Sequence, residues 1–369
     1  MKKILILLLL FVFGFFIPFG CTANSPDPAN TGSNGTGSNG NDNTETVLNI
    51  YNWATYIDEE TIPEFEEKFN VKVQYDTFEN NEALLAKIQP GNPGYDIIVP
   101  SGDFVENMIA QGLLEELNHD NIPNLKHVDD PFIDPPFDPG NKYSIPYQWG
   151  TIGIGYNIEA TGGEITSWKE IFDAKYNGKV ALMEDPRAML GSILVYLGYD
   201  PNTTDESQIA EARDFLVDNK DIVATFAPDT GQDLLDQGEV DIAIEWSGDI
   251  FQVMEENENI RYVIPEEGSI VWTDNLAIPK DAPHKKLAEQ FINFILEPEV
   301  SARISNYVKF GSPNKTSREE ELLEKEDLEN PGIYPPPETF KKLKYADDLG
   351  KDTALYDQAW TEVKVAIGG

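Results

Sequence analysis

From Val47 onward the chain alternates short apolar runs with amphipathic helical patterns, and this alternation restricts the fold more than any other feature. Val47–Trp53 reads as a strand, and Thr61–Phe69 as a helix with Ile62, Phe65 and Phe69 on one face. Val71–Thr77 alternates apolar and polar residues, Ala83–Ile88 is a short helix, and Tyr95–Val99 is a buried strand stopped by Pro100. Phe104–Gln111 is a helix closed by Gly112, a favourable residue for the left-handed C-terminal turn. Later strands are expected at Lys179–Met183, Ile222–Phe226, Val240–Trp246 and Arg261–Ile264. Later helices are expected at Met189–Leu197, Glu206–Asn219, Gln232–Gln237, His284–Leu296 and Thr353–Val365. Strands and helices in turn predict an α/β fold with mostly parallel sheets. The Pro-rich stretch Asn118–Tyr147 reads as an irregular crossing between two lobes, and 369 residues suffice for two cores.

The first 46 residues have another character. Lys2 and Lys3 precede an apolar run from Ile4 to Phe19, the layout of a secretory signal, too short for a good membrane span. Gly20 then precedes Cys21, the only cysteine, so no disulfide can form within the chain. A small residue before a lone Cys resembles a lipoprotein signal, in which that Cys becomes the lipidated first residue; Pro18 stands where that pattern usually has Leu. Ordinary secretion and an uncleaved anchor are the alternatives. Residues 21–46 are Gly-, Ser-, Asn- and Thr-rich and read as a flexible tether.

Acids outnumber bases 65 to 27, and loss of Lys2 and Lys3 takes the net charge from -38 to -40. That excess argues against nucleic acid or an anionic membrane surface as partner and favours capture of cations, although solubility alone can account for it. Three tryptophans stand beside carboxylates or other aromatics at what read as strand ends: Glu245-Trp246, Trp272-Thr273-Asp274, and Trp53 with Tyr56. Strand ends of α/β sheets are where ligands bind. An aromatic face with a carboxylate suits an organic ammonium. A cage for a small, multiply charged cation is the expectation.

Other chemistries lack their apparatus. His119, His127 and His284 sit among polar residues and read as surface groups. There is no Gly-x-Ser-x-Gly elbow, and Gly150-x-x-Gly153-x-Gly155 has the wrong spacing for a dinucleotide loop. No phosphate loop, calcium loop or cofactor signature is present. Two glycosidase carboxylates could still stand among the 65 acids, so a secreted hydrolase stays open as an alternative.

Several stretches, taken together, resemble the spermidine/putrescine-binding proteins of bacterial ABC importers. They are Tyr51–Tyr56, Tyr95–Ser101, Tyr143–Gly150, Trp272–Pro279 and Ser312-Pro313-Asn314, in that family's order and spacing across Val47 to Val365. The resemblance implies a two-lobed periplasmic-binding-protein fold, with a hinge and a central ligand cleft. Lobe 1 is expected from 47–149 plus about 273–316, and lobe 2 from about 150–272 plus 317–369. It also implies a monomer outside the cytoplasm that delivers a polyamine to a permease and its ATPase; with the lipoprotein-like signal, the expectation is a protein tethered to the membrane through Cys21, in the periplasm or at the outer face of the cell membrane. A same-fold receptor for a quaternary amine, opine or sugar acid, or a non-transport surface sensor, are the alternatives; nothing basic is expected in the cleft.

Carried over residue by residue, Trp53 and Tyr56 match cage aromatics and Ser101 a polar contact, which can also be a helix cap. Asp185 and Asp274 match amine-binding carboxylates, and Trp246 and Trp272 the walls along the methylene chain. Phe310 stands where the family often has Tyr, which loses a hydroxyl. Ala188 stands where some members have Glu, and Asp103 where an aromatic is usual; Asp103 is read as replacing the carboxylate missing at 188. Trp149, Trp168 and Trp360 are assigned to the core or hinge.

Overall fold

The computed structural model describes residues 46–228 and 230–368. The expected leader, Cys21 and all of the tether except Thr46 lie outside the described residues. Ten strands are described: β1 Val47–Trp53, β2 Lys72–Phe78, β3 Ile97–Ile98, β4 Ser144–Asn157, β5 Val180–Met183, β6 Val223–Ala227, β7 Ile242–Trp246, β8 Ile260–Val263, β9 Ile270–Ala277 and β10 Lys344–Tyr345. They connect in the order β2-β1-β3-β9-β4-β7-β5-β6, with β10 on β9 and β8 on β4.

The outer pairings are parallel, as the alternation predicts: β1 with β2 and β3, and β5 with β6 and β7. The centre is not. β9 runs antiparallel to β3 and β4, and β4 runs antiparallel to β7 and β8. Residues Ser144–Thr151 of β4 pair with β9, and Ile152–Asn157 pair with β7 and β8. One fourteen-residue strand therefore passes from one half of the sheet to the other.

β4 escapes the sequence reading because Pro146 and three glycines interrupt its pattern, and because twelve of its residues besides Ser144 are buried, which removes the alternation. Pro146 sits beside a register shift, where a missing N–H is tolerated. The glycines answer to close packing. A Cβ on Gly150 would lie 2.6 Å from the Trp272 ring and 2.9 Å from Phe310, and one on Gly153 would strike the Tyr262 hydroxyl. Helices Ser247–Glu256 and Pro298–Val308 were also not expected; the second carries Pro at its first position, a helix-start signal.

Each half of the sheet has its own core. Phe65 of helix Thr61–Phe69 packs edge-on against Phe291 at 4.9 Å, with Phe294 at 5.5 Å, beneath β1 and β3. Burying each such ring stabilises by about 1.5–3 kcal/mol. The second core joins β5 to helices Pro186–Leu197, Glu206–Asp218 and Thr353–Ile367, where Tyr356 is fully buried. Trp149 belongs to the first core, Trp168 and Trp360 to the second.

The histidines differ from expectation. His119 is exposed, but His127 and His284 are half-buried. The His284 N–H donates to Oδ1 of buried Asp96 at 2.6 Å, and its ring Nδ1 lies 3.2 Å from Oδ2. His284 thereby anchors the start of helix Lys285–Ile295, and its polar sequence neighbours gave no sign of a partner 188 residues away.

Candidate ligand-binding cleft

β1 ends at Trp53 and β7 ends at Trp246, so both tryptophans project from strand ends. Trp272 does not: it is the third residue of β9, which continues through Asp274 to Ala277. Thr273, Asp274 and Asn275 hide the continuation because they are polar, yet all three are buried. Trp53, Tyr56, Ser101, Asp103, Asp185, Trp246, Trp272, Asp274 and Phe310 all line one cavity of about 150 Å³. A cavity of that size in a protein interior admits a small organic molecule such as benzene.

Asp274 is buried, 5 % exposed. Its Oδ1 accepts from Ser101 Oγ at 2.6 Å and its Oδ2 from the Tyr56 hydroxyl at 2.9 Å. Both donors are neutral, and no cationic side chain forms an ion pair with Asp274 among the described residues. Burial pushes the Asp274 carboxyl up to about 7, against the pull of the two hydroxyls. Ser101 stands at the N-terminus of helix Gly102–Ala110, but its hydroxyl makes no helix cap. It bridges to Asp274 and accepts from Asn81 Nδ2 at 3.0 Å.

Asp185 plays a mixed part. Its side chain accepts from the Ala188 N–H at 2.8 Å and caps helix Pro186–Leu197. Desolvation holds its carboxyl above the ordinary range despite that bond. Asp103 is half-buried by surface area but lies within the cleft, where desolvation, resisted by the charge of Arg187, pushes it up to about 7. Asp185 adds to the same rise.

The aromatic walls interlock. Trp246 meets Trp272 edge-on at 5.7 Å, and Trp272 meets Phe310 at 5.0 Å. Phe310 also stands edge-on to Tyr56 at 5.5 Å. Trp53 donates its Nε1–H to the Val99 carbonyl at 2.9 Å, which fixes its ring at the mouth. The Trp272 Nε1–H is buried with no hydrogen-bond partner among the described residues.

Two expectations need correction. Glu245 does not line the cavity: it is fully buried and accepts from the N–H groups of Gly231 and Trp246, a backbone-bracing role. The carboxylate that accompanies Trp246 in the lining is Asp249, one helical turn further on. A basic residue does line the cleft, Arg187. Its guanidinium donates to Asn202 Oδ1 at 2.7 Å and to the Asp347 carbonyl, and covers the Tyr356 ring at 4.4 Å. Glu82 is a further carboxylate in the lining that the sequence did not single out. Its carboxyl is held up by desolvation first and by the charge of Asp185, which lines the same cavity, second. Nothing local marks Glu82; a helix after β2 brings it there.

The pattern of the bacterial extracellular solute-binding proteins matches residues 60–332. The spermidine/putrescine-binding periplasmic protein of Escherichia coli is 33 % identical over 320 residues, covering 86 % of this chain and 91 % of that protein. The spermidine/putrescine ABC transporter substrate-binding protein of Streptococcus pneumoniae superposes with a TM-score of 0.78 at 36 % identity, covering 88 % of this chain and 100 % of that one. The TpPotD lipoprotein of Treponema pallidum gives 0.78 at 30 % identity, covering 86 % and 99 %. The α/β architecture is thus the two-lobed fold of periplasmic substrate-binding proteins, and the chain belongs to the family of bacterial extracellular solute-binding proteins.

Proposed function

We propose that the cleft captures a linear polyamine of the spermidine or putrescine class and that the protein delivers it to an ABC permease and ATPase. The observation that carries this reading is Asp274, a buried carboxylate held by two neutral hydroxyls beside Trp272 and facing a lining of aromatic rings. A buried carboxylate without a cation is costly, and an ammonium relieves the cost. The Trp246, Trp272 and Phe310 rings offer apolar walls to methylene groups, and each cation–π contact adds about 0.5–2 kcal/mol. Asp185, Asp103 and Glu82 stand as partners for a second ammonium, and the spacing between them and Asp274 sets ligand length. The names of the Escherichia coli and Streptococcus pneumoniae relatives support the same ligand class.

The cleft is read as binding its ligand without turnover. Arg187 favours an anionic ligand only if it is released from Asn202, Asp347 and Tyr356, so the cationic reading is preferred. The lobes are assigned as 47–149 plus about 273–316 and about 150–272 plus 317–369, with β4 and β9 carrying the hinge between them. Tyr334, Phe340 and Leu343 also pack on the first core, so the C-terminal segment straps both lobes. Cys21 is the proposed lipid attachment point, tethering a monomer in the periplasm or at the outer face of the cell membrane; the Treponema pallidum relative is named a lipoprotein.

Calorimetric titration of the purified protein with putrescine, spermidine, spermine and glycine betaine tests the assignment. Saturable one-to-one binding of a di- or triamine, lost in Trp272→Ala, supports it. Silence towards every amine removes it.

A further inference from the structure

β9 has a different chamber on each face. Successive strand residues point to opposite sides. Ile270, Trp272 and Asp274 line the cleft, whereas Val271, Thr273 and Asn275 line a second cavity of about 530 Å³. The two cavities share Ser101, Asp103, Trp272 and Ala346. β4 covers one edge of β9 along most of its length. On the other edge, β10 pairs at Ile270 and Val271, and Ser101 bridges Asp274. Between these, Trp272 and Thr273 have no strand partner on that edge among the described residues, and Ser101, Asp103 and Ala346, which line both cavities with Trp272, stand where the two cavities adjoin.

The second chamber repeats the chemistry of the first in a looser form. Its apolar wall includes Phe132, Pro135, Pro136 and Phe137. Glu106, Asp347 and Asp348 supply negative charge at its rim. Asn275, 1 % exposed, donates its Nδ2–H to the Thr273 carbonyl, while its Oδ1 has no partner among the described residues. A buried acceptor left unpaired in a fold is rare and calls for a donor. Asn275 thus marks the chamber independently of the acidic rim.

We propose that this chamber is an extension of the ligand site that receives the distal ammonium of a longer linear polyamine, of tetraamine length, threaded past Asp103 and Ala346, where the two cavities adjoin. Asn275 Oδ1 accepts from the incoming N–H, Glu106 supplies the counter-charge, and the proline and phenylalanine wall lies along the methylenes. This rests on the polyamine reading of the cleft.

The test is a parallel titration of the purified protein with putrescine and spermine, in wild type, Asn275→Leu and Glu106→Lys. Glu106 is exposed, so its variant keeps the test valid if the Asn275 variant does not fold. Expected are spermine binding about tenfold tighter than putrescine in wild type, and loss of most of that advantage in either variant, with putrescine affinity within about twofold of wild type. Putrescine binding with no preference for spermine, or a preference that both variants keep, overturns the chamber while the cleft assignment stands. No binding of either amine overturns both.

Discussion

The two carboxylates at the heart of the cleft, Asp274 and Asp185, are held in different ways. Asp274 is braced by side-chain hydroxyls from Ser101 and Tyr56, residues far from it in sequence. Asp185 is braced by the N–H of Ala188, three residues along its own chain. The first is fixed by side chains distant in sequence and makes no helix cap. The second also closes a helix, so part of its role would persist in an empty protein. A group that caps no helix is expected to show the larger binding effect and the smaller dependence on helix stability.

The sharpest way to break this contrast is Asp274→Asn. It keeps the shape and removes the charge, and loss of a charge-assisted bond of about 1.5–3 kcal/mol predicts roughly tenfold to hundredfold weaker polyamine binding by calorimetry. An affinity unchanged from wild type removes Asp274 from the site.

Next in size is pH. Burial pushes Asp274 and Asp103 up to about 7, so near pH 6 both hold protons in the empty cleft. An incoming ammonium must expel them, so affinity weakens by about tenfold per coupled carboxyl between pH 8 and pH 6. Proton release follows from titrations in buffers of different ionisation enthalpy. The stability of the unliganded protein changes in the opposite sense. Because the folded-state values are raised, these two groups stabilise the fold most at acid pH, and that contribution is lost as pH rises through about 7. The thermal shift given by a polyamine is therefore larger at pH 8 than at pH 6. Ser101→Ala, which removes a donor to Asp274, moves the midpoint of the affinity profile upward.

Asp185→Asn is expected to weaken binding by about tenfold while leaving the melting temperature near wild type, because Asn caps a helix about as well as Asp. A fall in stability with no change in affinity would reassign Asp185 to the helix alone. Asp103→Asn is expected to cost a similar factor of about ten. The smallest effect is reserved for Phe310→Tyr, which restores a hydroxyl at a ring packed against Trp272 and Tyr56. An affinity change of about threefold, read by the same titration, is the expectation.

The legibility of this protein divides by range. The apolar runs of β1, β5 and β7 and the helices with one apolar face were readable because their periodicity is local. Trp53 and Trp246 could be placed at strand ends for the same reason. Trp272 and Asp274 were read at a strand end too, because the apolar run gives out at Val271, although β9 goes on to Ala277; their place at the ligand rested on that pairing and on family likeness together. β4 was hidden because burial of nearly the whole strand erases alternation, and because glycines required by Trp272, Tyr262 and Ile250 look like loop residues when those partners are unseen.

What the sequence by itself determined is the α/β alternation, the acidic charge and the set of aromatic and carboxylate residues available to a cation. What only the tertiary structure decided is which of them meet. Glu245 turned inward to brace backbone amides, Asp249 and Glu82 took places in the cleft, and Ser101 gave its hydroxyl to Asp274 rather than to its own helix. The physical reason is that a strand or helix is specified by spacing over a few residues. The desolvation and hydrogen bonding that give a carboxylate its chemistry come from groups brought together across more than a hundred.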